Sequence, residues 1–264
     1  MSEPYYRDES VELWHGDAFR MLCELPDASV DAIITDPPYS SGGMVRGDRT
    51  NGVHSKYVSN DSTSGNALTE FAGDGRDSRG YLAWVTLWLG ECLRIAKPGA
   101  VAALFTDWRQ LPTTTDAIQA GGWVWRGVVP WHKPSGRPVQ GRWANSCEYV
   151  VWGTNGPRPL DSLGGSALPG FYQASPPRDR EHITQKPLDV MRPLVRIAPT
   201  GGVVLDPFMG SGTTGVAAVL EGRRFIGCEQ VEHFANVSRD RMVTASQGYR
   251  DDGLQMVLGA EVAP

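Results

Sequence analysis

The sequence predicts an α/β fold: a doubly wound, mostly parallel sheet with one antiparallel strand. Three observations lead there. Short apolar runs repeatedly end in a turn signal and pass into helical periodicity, the mark of βα units. A glycine-rich loop, Gly210-Ser211-Gly212-Thr213-Thr214-Gly215, follows one such run and opens a helical one. The chain has 264 residues, 41% hydrophobic and 21% charged, enough for one large domain of ordinary composition.

The elements follow in order. Val11–His15 reads as a strand leading into Gly16-Asp17, and a helix with apolar Ala18, Met21 and Leu22 follows. Val30–Thr35 is a second strand, ending at Asp36. Residues Tyr81–Ile95 place Leu82, Val85, Leu89 and Leu93 near helical spacing, and Lys97-Pro98-Gly99 terminates that helix. Ala100–Phe105 is a third strand, and Trp123–Trp131 with Glu148–Trp152 form an antiparallel pair. Val203–Leu205 and Arg224–Cys228 are strands flanking the glycine loop, whose helix runs Thr213–Leu220. Residues 40–80 are rich in Gly, Ser, Asn and Asp without periodicity, and are expected to form a mobile loop. The tail after Gln247 carries little signal, and no internal repeat is visible.

Composition narrows the function. No apolar run reaches the ~18 residues of a membrane helix, and the polar start M-S-E-P-Y-Y-R lacks the apolar core of a signal peptide, so a cytoplasmic protein without membrane contact is expected. Cys23, Cys92, Cys147 and Cys228 are scattered, which supports neither a zinc site nor a disulfide framework; buried free thiols are expected, and no metal. Net charge is −5, yet Arg126 to Arg196 holds ten Lys/Arg against five Asp/Glu, a local excess that could face a polyanion.

The glycine loop fits G-x-G-x-x-G, and no Gly-Lys-Ser/Thr closes it as a P-loop. Glu229 ends the next strand, where a carboxylate can accept from both ribose hydroxyls. Asp206 sits just before the loop. A carboxylate there repels a pyrophosphate and suits a cationic ligand, which favours S-adenosylmethionine over NAD. The competing reading is a capped turn.

Asp36-Pro37-Pro38-Tyr39 lies 170 residues upstream of Asp206. An exocyclic amine is a poor nucleophile because its lone pair is delocalised into the ring. A carboxylate and a carbonyl that accept from its N–H groups favour the pyramidal, nucleophilic nitrogen. The prolines fix φ and lack N–H, so their carbonyls are rigid acceptors. Tyr39 can stack on a base, worth roughly 1–3 kcal/mol and offsetting part of the cost of extruding it from a duplex.

Together, Asp36-Pro37-Pro38-Tyr39 and Asp206-Pro207-Phe208-Met209-Gly210-Ser211-Gly212-Thr213-Thr214 resemble the amino-methylating DNA methyltransferases. With the catalytic motif first and the cofactor motif last, the order is that of their permuted beta group. The resemblance implies a Rossmann-like methyltransferase sheet and an S-adenosylmethionine cofactor held by Asp17, Asp36, Asp206, Phe208, Gly210, Ser211, Gly212, Thr213 and Glu229. Val129-Pro130-Trp131-His132-Lys133 resembles the family's Trp-x-Lys element and implies Trp131 and Lys133 near the target base. His182-Ile183-Thr184-Gln185-Lys186-Pro187 matches a motif whose Thr184 and Lys186 approach the methionine carboxylate. Residues 134–181 are left as a small target-recognition region, with Arg137, Arg142 and Arg158 as candidates for reading bases. Asp36, Pro37, Pro38 and Tyr39 are then catalytic and DNA is the partner; a homodimer and a cognate restriction endonuclease are left open. The implied reaction is methylation of adenine N6 on a flipped base. The alternatives are cytosine N4, whose enzymes more often carry Ser in place of Asp36, a protein or RNA methyltransferase, a non-catalytic DNA-binding relative, and a dinucleotide oxidoreductase. Distance in sequence is no obstacle: parallel neighbouring strands would bring Asp36 and Asp206 out at one edge.

Overall fold

The computed structural model describes residues 3–39, 76–134, 140–164, 166–177 and 185–260, and from residue 248 onward the backbone alone. Its strands are β1 (Tyr6–Arg7), β2 (Val11–His15), β3 (Val30–Thr35), β4 (Ala96–Thr106), β5 (Val124–His132), β6 (Cys147–Thr154), β7 (Tyr172–Gln173), β8 (Val203–Asp206) and β9 (Arg224–Glu229). Its helices are α1 (Ala18–Glu24), α2 (Ser78–Ile95), α3 (Leu111–Ala120), α4 (Leu188–Val195), α5 (Thr213–Leu220) and α6 (Glu232–Ala260). The strands form one sheet in the order β1-β2-β9-β8-β3-β4-β6-β5-β7. The five from β2 to β4 are mutually parallel, while β6 runs antiparallel to both β4 and β5.

Side-chain alternation decides which helix covers which face, because successive residues of a strand point to opposite sides. Ile33, Ala102, Leu104, Val203 and Leu205 join one core with Met21 and Leu22 of α1, Val85, Trp88 and Leu89 of α2, and Ile118 of α3. Their neighbours Ala32, Ile34, Ala103, Phe105 and Val204 join the other, with Val190 and Met191 of α4, Val216 and Val219 of α5, and Met242 of α6. Strands buried on both faces explain why these runs read as continuously apolar. The helix leaving β3 lies on one face and the helix leaving β8 on the other. The crevice between these adjacent strands is therefore the topological switch point, where ligands of open α/β sheets bind.

The strands expected to be neighbours are neighbours: β3 pairs with β8 in parallel register, Ala32 opposite Val204 and Ile33 opposite Leu205. The helix expected over Thr213–Leu220 has those bounds. Other details differ. Helix α2 begins at Ser78, capped by Asp77, so residues 78–80 are helix rather than loop; residues 40–75 lie outside the described residues. Lys97-Pro98-Gly99 ends the helix and also lies inside β4, in an irregularity between the pairs Val30–Ala96 and Ala32–Val101. The expected 134–181 region is split by β6, which is hydrogen-bonded on both sides and belongs to the sheet. The tail that carried little signal continues helix α6. Cys92 and Cys228 are buried, but Cys147 is half-buried and Cys23 exposed, a correction to the expectation of buried thiols. Among the described residues, no helix is long and apolar enough to cross a membrane.

Arg94, in the last turn of α2, fastens that helix to the chain entering β3. Its guanidinium donates to the carbonyls of Leu22 (2.9 Å) and Leu25 (3.0 Å) and pairs with Glu91 and Asp27. The carbonyl bonds matter more than the ion pairs, since exposed pairs contribute little; without Arg94 the Leu22 carbonyl keeps the Leu25 amide, so the cost falls chiefly at the Leu25 carbonyl. Arg94→Ala is expected to lower unfolding stability in urea by about 1–3 kcal/mol.

Candidate active site

Four parallel strands deliver their carboxyl ends to one cavity. Gly16, Asp17 and Phe19 follow β2, Asp36 to Tyr39 follow β3, Asp206 to Ser211 follow β8, and Glu229 to Val231 follow β9; all line it. Trp84 and Trp88 add an aromatic wall from α2, Arg76 lies just before that helix, and Lys186 enters ahead of α4.

Asp206 organises the glycine loop. One carboxylate oxygen accepts from Thr35 Oγ1 (2.7 Å) and the Phe208 amide (3.1 Å), the other from Thr214 Oγ1 (2.6 Å). Burial pushes its pKa up to about 6 against these donors. Gly210 (φ 51°) and Gly212 (φ 77°) take left-handed conformations that favour glycine, and Gly212 sits against Ser238 and Met242, where a Cβ has no room. Glu229 accepts from the amides of Gly210 (2.9 Å) and Val231 (2.8 Å), and burial raises its pKa. The Gln230 amide also bonds this carboxylate, and the group still has acceptor capacity for another donor. Asp17 caps α1 by accepting from the Arg20 amide (3.0 Å). Phe208 packs on Trp84 and Trp88 with ring centroids 5.2 and 5.3 Å apart, and the Arg76 guanidinium lies 4.2 Å from the Trp84 centroid.

Across the crevice, Lys186 Nζ donates to Asp36 Oδ2 at 2.5 Å, while Asp36 Oδ1 is buried with no hydrogen-bond partner. Burial pushes Asp36 up to about 6; Lys186 pulls it down and Glu148 pushes it up. Burial works against the Lys186 ammonium, yet Asp36 and Glu148 hold its pKa above the usual lysine value. Glu148, at the start of β6, contacts Lys186 Nζ at 3.3 Å and Lys133 Nζ at 2.7 Å.

Asp17, Asp36, Pro37, Pro38, Tyr39, Lys186, Asp206, Phe208, Gly210, Ser211, Thr213 and Glu229 thus share one cavity. Gly212 contributes its backbone turn and does not line it. Tyr39 borders the cavity yet is only 8% exposed, held in the core rather than presented as a free platform. Trp131 corrects the expectation of a base contact: it is 2% exposed, donates to the Ala174 carbonyl (3.0 Å) and packs edge-on against Phe105. It lies two residues after Val129, on the same face of β5, and both pack on one core. Lys133 is held by Glu148. Arg158 spends its guanidinium on the Gly99 and Ile197 carbonyls, so it is not a base reader here. Thr184 and Arg137 lie outside the described residues.

Among the described residues, most of the Lys/Arg between Arg126 and Arg196 are engaged within the protein. Arg126 binds Thr154 and Gly156, while Arg192 and Arg196 both pair with Glu221. Of these Lys/Arg among the described residues, Arg126 and Arg142 are exposed without an ion pair, and Arg126 is tied to neutral acceptors. Sequence reasoning missed Glu148, Thr35, Thr214, Arg76, Trp84 and Trp88. A glutamate inside C-E-Y-V-V-W, and tryptophans four apart on one helix face, were the available signals.

Comparison with known proteins agrees with this geometry. A family model described as N6/N4 DNA methylase matches residues 30–240, a span that includes both acidic motifs. The type II methyltransferase M2.DpnII of Streptococcus pneumoniae is 26% identical over 263 residues, covering 92% of this chain and 93% of that protein. Among solved structures, the cytosine-N4-specific PvuII DNA methyltransferase superposes with a TM-score of 0.66 at 18% identity, covering 94% of each chain. M1.HpyAVI, solved as a complex with SAM, does so with a TM-score of 0.58 at 22% identity, covering 88% of this chain and 99% of that one. The chain belongs to the N6/N4 family of DNA methylases.

Proposed function

We propose that the protein is an S-adenosylmethionine-dependent DNA methyltransferase acting on the N6 amine of adenine. The observation that carries the cofactor is the charge of the cavity wall. Asp17, Asp36, Asp206 and Glu229 face Lys186 and Arg76, and Lys186 is already committed to Asp36. Such a wall favours a ligand bearing a sulfonium and an ammonium over one bearing a pyrophosphate. Glu229 and Asp17 would hold the nucleoside part, and Phe208 with Trp84 would pack beside it. When bound, the cofactor supplies an electrophilic methyl group.

The protein's part is to orient and to accept. Among the described residues, Asp36 Oδ1 is a buried acceptor without a hydrogen-bond donor that borders the cavity, while Glu148 Oε2 behind it has only its ionic contact with Lys186; the amine of an extruded base supplies donors to the former. The carbonyl of Pro37, fixed by the Pro37-Pro38 backbone, is the second acceptor in this reading. Holding the nitrogen in line with the methyl group converts an encounter into a positioned reaction, an effect worth roughly 7–11 kcal/mol in well-aligned systems. The choice of adenine is supported by Asp36 at the head of the tetrapeptide, where the family's cytosine-N4 enzymes more often carry Ser; the fold is compatible with both bases. The described part of the 134–181 region, with exposed Arg142, would face the DNA, and the type II naming of M2.DpnII supports a restriction setting.

Asp36→Ala is expected to abolish methyl transfer to DNA while calorimetry still detects binding of the methyl donor; retained transfer would refute the assignment. Labelled-methyl assays on duplexes whose only modifiable amines are adenine or cytosine decide the base, and product in the cytosine duplex alone would overturn the adenine reading. For wild type, kcat/KM is expected to fall as pH drops through about 6, because the raised pKa of Asp36 means its carboxylate is present above that value and lost below it.

A further inference from the structure

Beyond the cofactor cradle, the edge of the sheet buries a chain of alternating charges: Lys133, Glu148, Lys186 and Asp36. The contacts are 2.7, 3.3 and 2.5 Å in that order, and the four side chains are 24%, 14%, 7% and 20% exposed. Topology brings them together. Because β5 ends and antiparallel β6 begins at the edge where β3 ends, Lys133, Glu148 and Asp36 emerge side by side. A buried glutamate in an apolar strand is expensive, so its retention calls for a reason beyond stability. Lys186 and Asp36 alone would form a closed neutral pair, and a carboxylate saturated by an ammonium is a weak acceptor and a weak base.

We propose that Glu148 is a positioning residue for the methyl-transfer step: it shares the Lys186 ammonium with Asp36, ties Asp36 down through Oδ2 alone, and leaves Oδ1 as a basic acceptor for the substrate amine. This rests on the assignment of Asp36 given above. As the N–C bond forms, the C–S bond breaks with its electron pair passing to sulfur. The nitrogen then carries one proton more than the neutral product. Oδ1 takes that proton and yields it to water once the product leaves. Glu148 is suited to its part because it stays ionised: burial opposes its charge, but Lys186 and Lys133 together hold its pKa below the usual value. Asp36 is faced by Lys186, Glu148 and Lys133, and by Asp206 and Tyr81 from β8 and α2. Of these, Glu148 raises its proton affinity, while Lys186 and Lys133 lower it.

The test is the Asp36 carboxyl titration, read in the free protein by 13C NMR of labelled aspartate with Asp36→Asn as the assignment control, and the acid limb of kcat/KM. Glu148→Gln is expected to move both midpoints to lower pH and to reduce kcat roughly tenfold, with methyl-donor affinity within about twofold. Lys133→Met is expected to move both midpoints to higher pH, and Glu148→Asp to restore the wild-type values in large part. If Glu148→Gln does not fold, Lys133→Met and Glu148→Asp still carry the test. Midpoints that stay put, or that move in the same direction in Glu148→Gln and Lys133→Met, overturn the proposal. The NMR midpoints are independent of turnover, so a failure of the Asp36 assignment, seen as transfer surviving in Asp36→Ala, is distinguished from a failure here.

Discussion

One buried contact sets the geometry of the rest: the parallel seam between β3 and β8, closed at its carboxyl end by the hydrogen bond from Thr35 Oγ1 to Asp206. The seam joins two segments far apart in the chain, and each carries one half of the site just past its last strand residue. Thr35 precedes Asp36 directly, so the same turn that braces Asp206 also aims the next residue. Asp206 spends both oxygens on the protein, which makes it the keystone of the loop rather than a free ligand. A carboxylate buried against hydroxyls and an amide is expensive unless those donors are kept in place, and they are kept by strands buried on both faces.

From that seam the site divides into two electrostatic halves. On the β8–β9 side, carboxylates are satisfied by neutral donors, Asp206 by hydroxyls and Glu229 by backbone amides, so their charge is not cancelled. On the β3–β6 side, carboxylates are matched by lysines. The first half therefore attracts a cation and the second holds a neutral, hydrogen-bonding group beside a fixed acceptor. This division follows from which strands adjoin which, since β8 brings the glycine turn and β5 and β6 bring charged residues at their ends.

The sheet and the cofactor loop were legible because their signals are local. Alternation and turn residues mark the strands; the glycines mark positions where φ is positive or a Cβ would collide, as at Gly212. The adjacency of Asp36 and Asp206 was legible once parallel strands were assumed. Glu148 was not, because a single charged residue at the head of an apolar strand looks the same in sequence whether it meets solvent or a lysine. Trp131 misled for the converse reason: a motif fixes a residue's neighbourhood, while the alternation of its strand fixes the direction of its side chain. The local excess of arginine and lysine likewise overstated the basic surface, since composition cannot show that Arg158 serves carbonyls or that Glu221 takes two arginines. Short elements such as β1 and β7, two residues each, offer no pattern to read and exist only through their partners.

The strand order also governs when the molecule can exist at all. β2 finds its parallel partner only in β9, and β3 meets β8 only after some 170 residues have followed it. Until β8 and β9 emerge, β2 and β3 have a gap of two strands between them and no shared ladder. A nascent chain that stops short of β8 accordingly holds the Asp36–Tyr39 turn on an open sheet edge, with neither cradle nor brace. Long-range pairing of this kind makes folding slow and cooperative, and it ties assembly of the site to the arrival of β8 and β9.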